Sequence, residues 1–437
     1  MPFPDVNHPW ESRPIGDIFR LSTIGIKPQN MPTELFYHYS IPAIDRFGGP
    51  ALEQGQQIDS NKFLLVEDCI LVSKLNPQIN RAVLFTPHDG DERCCASTEL
   101  MAYVPTAENV DLHFYLHYTK SARFRKNLIS VATGTTNSHK RARPSETLRW
   151  IVPFPPLEEQ SAIAQILDAV DTTTVRTNDT LKQAIQLGRS LTLELLQYGV
   201  DENSKLRDKS VKSEFTNTKM GSIPVDWNVS SIGQEFELQT GFTINQDRRP
   251  RINKRRYLRV ANVHRDQIFL DDVQELEAKD SEIENRTLTT GDILIVEGHA
   301  NRMEIGRAAM VTEQSEGLTF QNHLFRLRSL GKVEPYFGCL WMNSVYAMKY
   351  WNARCATSSG LNTINQRMLK RLSIPVPSIS EQLAIIEIVD SHRGYISALR
   401  EKSRRLVELK TSLMHDLLTG KVRVSNIDFD QILGDVT

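Results

Sequence analysis

The feature that most constrains this chain is that it contains one segment twice. IVPFPPLEEQSAIAQILDAVD (151–171) and SIPVPSISEQLAIIEIVDSHR (373–393) align without a gap, 222 residues apart. Pro153, Pro155, Glu159, Gln160, Ala162 and Ile163 fall on Pro375, Pro377, Glu381, Gln382, Ala384 and Ile385, and Asp168 falls on Asp390. Weaker echoes keep the same order. RPIGDIF (13–19) matches SSIGQEF (230–236), and EDCILVSKLN (67–76) matches GDILIVEGHAN (291–301). VDLHFYLHYTKS (110–121) tracks VEPYFGCLWMNS (333–344), and both halves close alike, with ELLQYGV (194–200) and DLLTGKV (416–422). Ordered matches of this kind mean a duplicated unit of roughly 190 residues, well above the length of a solenoid repeat.

Each half reads as a mixed α/β globule followed by a long helix. Strand-like runs (KFLLVEDCILVS, GDILIV, AAMVTE, LFRLR) are bounded by Gly, Asp and Asn. The proline-rich exits VPFPP and IPVPS disfavour helix before them and lead into one after them. Ser378 and Glu381 have capping-box spacing, and Glu158 and Glu159 place acid at the positive end of the first helix. Ile385, Val389, Ile396, Leu399, Leu406, Leu409, Leu413 and Leu417 recur in steps of three, four and seven, the seam of a coiled coil. Ile163, Ile166, Val170, Leu181, Ile185, Leu191 and Leu195 form a similar seam in the first helix. Its middle, DTTTVRTNDT, is polar and β-branched, so a kink or thinning is expected there. Helices of about 40 residues are roughly 60 Å long, more than one small domain needs, and the two are expected to pair with each other. The segment 201–229 reads as a polar surface connector with a proline-fixed entry into the second globule.

Composition is that of an ordinary globular protein, 40% hydrophobic and 24% charged. No run of about 18 apolar residues supports a membrane span, and MPFPDVNHPWESRP lacks the pattern of a secretory signal. The five cysteines (Cys69, Cys94, Cys95, Cys339, Cys355) show no paired zinc-ligand spacing and fit a reduced compartment. The expected location is the cytoplasm.

The net charge of -1 conceals strong local asymmetry. Residues 120–149 hold eight Lys/Arg against Glu146, and residues 247–265 hold eight against Asp247. Asp266 to Glu284 then carries eight acids and a single Lys. Local sign decides where a phosphate backbone can sit. The candidate DNA-binding residues are therefore Lys120, Arg123, Arg125, Lys126, Lys140, Arg141 and Arg143 in the first half. In the second they are Arg248, Arg249, Arg251, Lys254, Arg255, Arg256 and Arg259, with neutralisation by the acidic run as the competing reading. Positions 357–367 (TSSGLNTINQR), equivalent to the basic TGTTNSHKRARPSE, are mostly polar, so the two halves should read different bases.

Catalytic signatures are missing. There is no phosphate-binding G-x-x-x-x-G-K-[ST] loop, no G-x-G-x-x-G opening a helix and no H-E-x-x-H. The only Pro-Pro, Pro155–Pro156, follows Phe and leads into a helix, unlike a DNA amino-methyltransferase motif. His88, Asp89, Asp91 and Glu92 read as an acidic turn rather than metal ligands. Glu297, His299 and Asn301 follow a strand, as loop residues that bind something more readily than catalyse.

With the two proline–EQ–helix junctions, GDILIVEGHANRMEIGRAAMV and KMGSIPVDWNVSSIG in view, the chain resembles the specificity subunit of type I restriction–modification systems over nearly its whole length. The second junction departs from the family, with SIPVPSIS in place of a second PPL, and the opening MPFPDVNHPW is unusual. The resemblance implies a fold of two tandem target-recognition globules in mixed α/β (α+β) form, each followed by a long helix, the helices pairing as an antiparallel coiled coil. The expected boundaries are 1–156 for the first globule, 157–200 for the central helix and 201–229 for a linker. The second globule follows at 230–378, the C-terminal helix at 379–420 and a tail at 421–437.

It further implies a non-catalytic subunit in phage defence, each globule reading one half of a bipartite asymmetric DNA site. Pro153, Pro155, Glu159, Gln160, Ile163, Pro375, Pro377, Glu381, Gln382 and Ile385 would serve spacing and subunit docking. The partners would be double-stranded DNA, two modification (methyltransferase) subunits and a restriction motor–nuclease subunit. No cofactor is expected in this chain, with S-adenosylmethionine, ATP and Mg on the partners. The competing classes are a scaffold or decayed copy that binds no DNA, and a self-contained DNA-modifying enzyme. The bases read, the spacer length, the target adenines and whether the system restricts or only modifies are not encoded in any recognisable pattern.

Overall fold

A computed structural model describes residues 10–87, 90, 92–133, 140–358 and 360–424. The chain divides into two compact units, Met1–Thr180 with Leu399–Thr437, and Leu181–Ala398. The division falls inside the long helices, Leu157–Tyr198 and Ile379–Leu418, rather than in the 201–229 segment. The cause is apolar packing. The core of the first unit buries Ile163, Ile166 and Leu167 from the start of one helix and Leu417 and Leu418 from the end of the other. The second core likewise takes Leu195 and Leu196 together with Ile385 and Val389.

In the first unit a four-stranded antiparallel sheet has the order Phe19–Ser22, Leu100–Pro105, Cys69–Ser73, Ala82–Phe85. Every residue of Cys69–Ser73 is buried, as expected of a central strand rich in Ile, Leu and Val. The helices Leu112–Lys120 and Ala122–Ser130 follow, capped by Asp111 and Ser121, whose side chains accept from Phe114 N–H and Phe124 N–H.

The second unit repeats this plan. Its sheet has the order Phe236–Thr240, Leu324–Ser329, Ile293–Val296, Ala308–Met310, again antiparallel throughout. The helices Pro335–Met342 and Val345–Arg354 take the corresponding place. Strand pairs Glu11–Pro14 with Ile151–Phe154, and Asn228–Ser231 with Ser373–Val376, close each globule at its exit. The duplication read from sequence is thus a duplication of topology.

The units differ in a further sheet. The first builds five strands, Gly25–Ile26, Lys62–Leu65, Arg93–Ser97, Leu35–Tyr39 and Ala51–Gln54. The second builds three, Gln274–Glu277, Lys254–Leu258 and Thr319–Phe320. A parallel pair is common to both, Leu35–Tyr39 with Arg93–Ser97 and Lys254–Leu258 with Thr319–Phe320.

The long helices run antiparallel within each unit. In the first, Asp171 pairs with Lys410, and Ser403 donates to the Asn178 side chain at 2.7 Å. In the second, His392 Nε2 lies 2.8 Å from the Ala184 carbonyl oxygen. The stretch DTTTVRTNDT, where a kink or a thinner seam is expected, does not interrupt the helix Leu157–Tyr198. Polar cross-links replace the apolar seam there, and Thr173, Thr174 and Thr180 return their hydroxyls to the carbonyls four residues back. In the other helix Leu409, expected in the seam, is 38% exposed.

The expected connector is also more ordered than its polarity suggests. Phe215–Thr218 pairs with Gly221–Pro224 in a hairpin, and Ile223 and Trp227 are buried.

Candidate nucleic-acid interface

The basic stretch of the second unit begins at a one-turn 3-10 helix, Gln246–Arg248, where the Asn245 side chain accepts from Asp247 and Arg248 N–H. It then enters the strand Lys254–Leu258, paired antiparallel with the acidic strand Gln274–Glu277. Opposite charge across neighbouring strands is favourable, and acids of this strand and of the turns on either side of it meet the basic stretch. Arg248 pairs with Glu282 at 2.6 Å, Lys254 with Glu275 at 3.7 Å and Arg259 with Asp272 at 2.5 Å, while Arg255 pairs with Asp280. The Arg248 guanidinium, with help from Lys279 N–H, pulls the Glu282 carboxyl down to about 2.

Arg249, Arg251 and Arg256 remain exposed with no acidic partner among the described residues. The seven cations of this stretch therefore divide into four that are neutralised and three that are available to a phosphate.

In the first unit Lys120, Arg123 and Arg125 line a groove of about 400 Å³ beside the end of the second long helix, with Tyr118, Met414 and Leu418. Burial pushes the Lys120 ammonium below its ordinary value, whereas Arg123, Arg125 and Lys126 are exposed. Lys140, Arg141 and Arg143 lie apart from these. Arg141 lies opposite Thr133 in a two-stranded pairing and forms an ion pair with Glu99 at 2.9 Å. Lys140 accepts at its carbonyl from Asn76 N–H at 2.8 Å, and exposed Arg143 sits at the N-terminus of the turn Pro144–Thr147.

The two basic stretches lie on different parts of the shared topology. The strand Lys254–Leu258 answers to Leu35–Tyr39 of the first unit, LFYHY, which carries no Lys or Arg. The counterpart of the strand pair Ala132–Thr133 with Arg141–Ala142 is instead Ala356–Ser358 with Leu361–Thr363, whose sequence is largely polar. It pairs with Gly298–His299, just as Leu75 bridges to Arg141 in the first unit.

That hairpin gathers the loop singled out after GDILIV. The Asn362 side chain donates to the Ala300 carbonyl at 3.0 Å and accepts from Arg302 Nε at 3.2 Å. Glu297 meets His323 at 2.8 Å, and the Asn301 side chain accepts from Met303 N–H. These side chains form a polar ledge rather than a converging catalytic cluster. No group of three or more His, Cys, Asp or Glu side chains suited to a metal ion occurs among the described residues. His88, Asp89 and Asp91 lie outside them.

The junction residues are committed to the chain itself. Gln160 is fully buried; its Nε2 donates to the Asn109 and Pro155 carbonyls at 3.0 and 2.8 Å, and its Oε1 accepts from Asp111 N–H at 2.9 Å. Gln382 repeats all three bonds, with the Lys332 and Pro377 carbonyls and Glu334 N–H. Ile163 and Ile385 are buried in the two cores. Pro153 and Pro375 lie in the exit strands, and Pro155 and Pro377 lend their carbonyls to the glutamines.

Glu381 receives Trp227 Nε1 at 3.0 Å, Arg207 Nη2 at 3.1 Å and Val200 N–H at 3.0 Å. Glu159 takes Trp10 Nε1 at 2.5 Å and Arg423. The capping box is therefore half made. Ser378 accepts from Glu381 N–H at 3.2 Å, but the Glu381 carboxylate turns to this clasp. Sequence reading missed Trp10, Arg207, Trp227 and Arg423. The shared Trp ahead of each IG motif was the available signal.

Residues 7–187 and 224–409 match the family model described as the type I restriction modification DNA specificity domain, one copy per half. The chain belongs to this family. It is 26% identical over 321 residues to the type I restriction enzyme MjaVIII specificity subunit of Methanocaldococcus jannaschii, covering 72% of this chain and 71% of that protein. Among solved structures it resembles a chain described under complex assembly and conformational transition of the type I R-M system. The TM-score is 0.59 at 17% identity, over 96% of this chain and 100% of that one. It also resembles the HsdS subunit from Thermoanaerobacter tengcongensis, with a TM-score of 0.53 at 17% identity, over 94% of this chain and 97% of that one. At such identity the structural likeness concerns the fold.

Proposed function

We propose that this chain is the non-catalytic DNA-reading subunit of a type I restriction–modification complex. Each globule reads one half of a split, asymmetric site, and the paired helices fix the distance between the halves. The observation that carries this reading is the combination of a duplicated frame with unlike remaining parts. Sheet order, exit strands and glutamine junctions repeat, while the further sheets and the charge of the hairpins differ. Two readers on one frame need that pattern.

Methylation and cleavage then belong to partner subunits, two for modification and one for restriction. Those subunits carry S-adenosylmethionine, ATP and Mg. The helices offer apolar docking positions, Val175 and Val407 in the first unit and Leu187, Leu383 and Tyr395 in the second, all at least half exposed.

The test is to exchange the first globule for that of a relative with a different site and to map methylated adenines in a host carrying the whole system. One half of the recognised sequence should change. A change in both halves, or in neither, overturns the modular reading. Lengthening both helices by about one heptad should widen the gap and leave the bases unaltered.

The competing scaffold reading draws on the four ion pairs that neutralise the basic stretch. Binding that weakens steeply with salt would exclude it.

A further inference from the structure

The tip of the basic loop in the second unit has properties that folding alone does not require. Ile252 is 89% exposed, more than any other large apolar side chain among the described residues. Burying such a side chain stabilises a fold, yet this one is held in water. Its backbone is firmly tied. The Glu277 carboxylate accepts from Arg251, Ile252 and Asn253 N–H at 2.8, 3.0 and 2.8 Å, and the Asn253 carbonyl accepts from Ala278 N–H at 3.1 Å. Three consecutive amides on one carboxylate leave the tip little freedom, so Ile252 is presented rather than loosely exposed.

Its flanks are equally specific. Arg249 and Arg251 are exposed and without acidic partners among the described residues, while Arg248, Lys254, Arg255 and Arg259 are neutralised. The chain has therefore left positive charge uncompensated beside its barest aliphatic residue. A protein groove or a lipid surface would call for a wider apolar patch, and the segment Arg249–Asn253 adds only Pro250, set between two arginines. Duplex DNA matches both parts of the pattern. Phosphates take the guanidinium groups, and a base step admits a single aliphatic wedge at the cost of partial unstacking.

We propose that Ile252 is a base-step wedge, inserted by the second globule into its half of the DNA site beside phosphate contacts of Arg249 and Arg251. The inference rests on the DNA-reading function proposed above. It adds that part of the specificity comes from how readily one step of the duplex unstacks, a property read without hydrogen bonds to base edges.

The complex with its methylase subunits is tested on its mapped methylation site, with 2-aminopurine placed at successive positions of the half assigned to the second globule. The wild-type complex should raise fluorescence at one step. I252A should abolish that rise and weaken binding about tenfold, with the slope of affinity against salt and the melting temperature unchanged. E277Q, which retains the isoleucine but loosens its loop, should reduce the rise. Equal affinity and equal fluorescence for I252A and wild type would overturn the wedge, as would a wild-type complex that binds its site without brightening any position. Those results leave DNA recognition intact. A wild-type complex with no preference for its site over a scrambled duplex removes the underlying reading, and the wedge with it.

Discussion

Gln160 and Gln382, 222 residues apart, hold the same three backbone groups in the two halves of the chain. Each fastens the first turn of a long helix to the proline exit behind it and to the loop that opens the globule's helical pair. A buried amide that satisfies two carbonyls and one N–H leaves all of them stranded when it is removed.

Replacing either glutamine by leucine should therefore destabilise its own unit by about 3 kcal/mol. Q160L and Q382L should cost similar amounts, because the bonds correspond one for one. Urea denaturation of each variant checks this. A loss below about 1 kcal/mol would show that water reaches the junction.

Gly188 offers a test of the helix packing in the second unit. An alanine usually improves a helix interior by about 1 kcal/mol. Here the added Cβ would lie 2.6 Å from His392 Cδ2, and that ring is held at Ala184. G188A should therefore destabilise by about 1 kcal/mol net, and in an H392A background the same change should become stabilising. Thermal melts of the four variants report the reversal.

Acid sensitivity should trace partly to His117. Its ring is buried, which pushes its pKa below 6.5, although Asp168 at 2.8 Å opposes the shift; Lys410 acts in the same direction as burial. The unfolded chain then binds the proton more readily than the folded one, so stability rises with pH across the window between the folded value and about 6.5. It is fully present above that window and declines as pH falls through it. His38, lowered chiefly by burial and opposed by Glu53, adds to the same slope. Denaturation midpoints from about pH 8 to about pH 5 should fall for the wild type and fall less for H117Q.

The division of the basic stretch predicts two kinds of arginine. Substituting glutamine for Arg249, Arg251 and Arg256 together should lower the dependence of log affinity on log salt by about 0.9 for each phosphate that is no longer neutralised, with stability unchanged. The same substitution at Lys254, Arg255 and Arg259 should change the salt slope little and lower stability, since each leaves an acid unpaired. Anisotropy titrations at several salt concentrations, with a melt beside each, separate the two sets.

Repeat structure and helix boundaries were legible because they are written in local patterns. Prolines before the helices, alternating apolar strands and heptad spacing all act over a few residues, and the long helices begin directly after the proline-rich exits. Long-range partners were not legible. Nothing near Glu381 announces Arg207 or Trp227, which reach it through the fold. The acidic run after the basic stretch was visible as neutralising charge. Which four cations it takes depends on how the strand Lys254–Leu258, the strand Gln274–Glu277 and the helical turn Asp280–Ile283 come together, and that is a tertiary property. Charge along a sequence likewise does not reveal that the two basic stretches fall on different strands of the shared topology.

The contrast between the repeated four-stranded sheet and the unlike further sheets has an evolutionary consequence. A five-stranded sheet in one half and a three-stranded sheet in the other are carried on the same four-stranded frame, so the frame tolerates more than one form of the part that varies. A lineage of such chains can therefore vary or exchange one half by recombination and inherit the frame that joins the two halves unaltered.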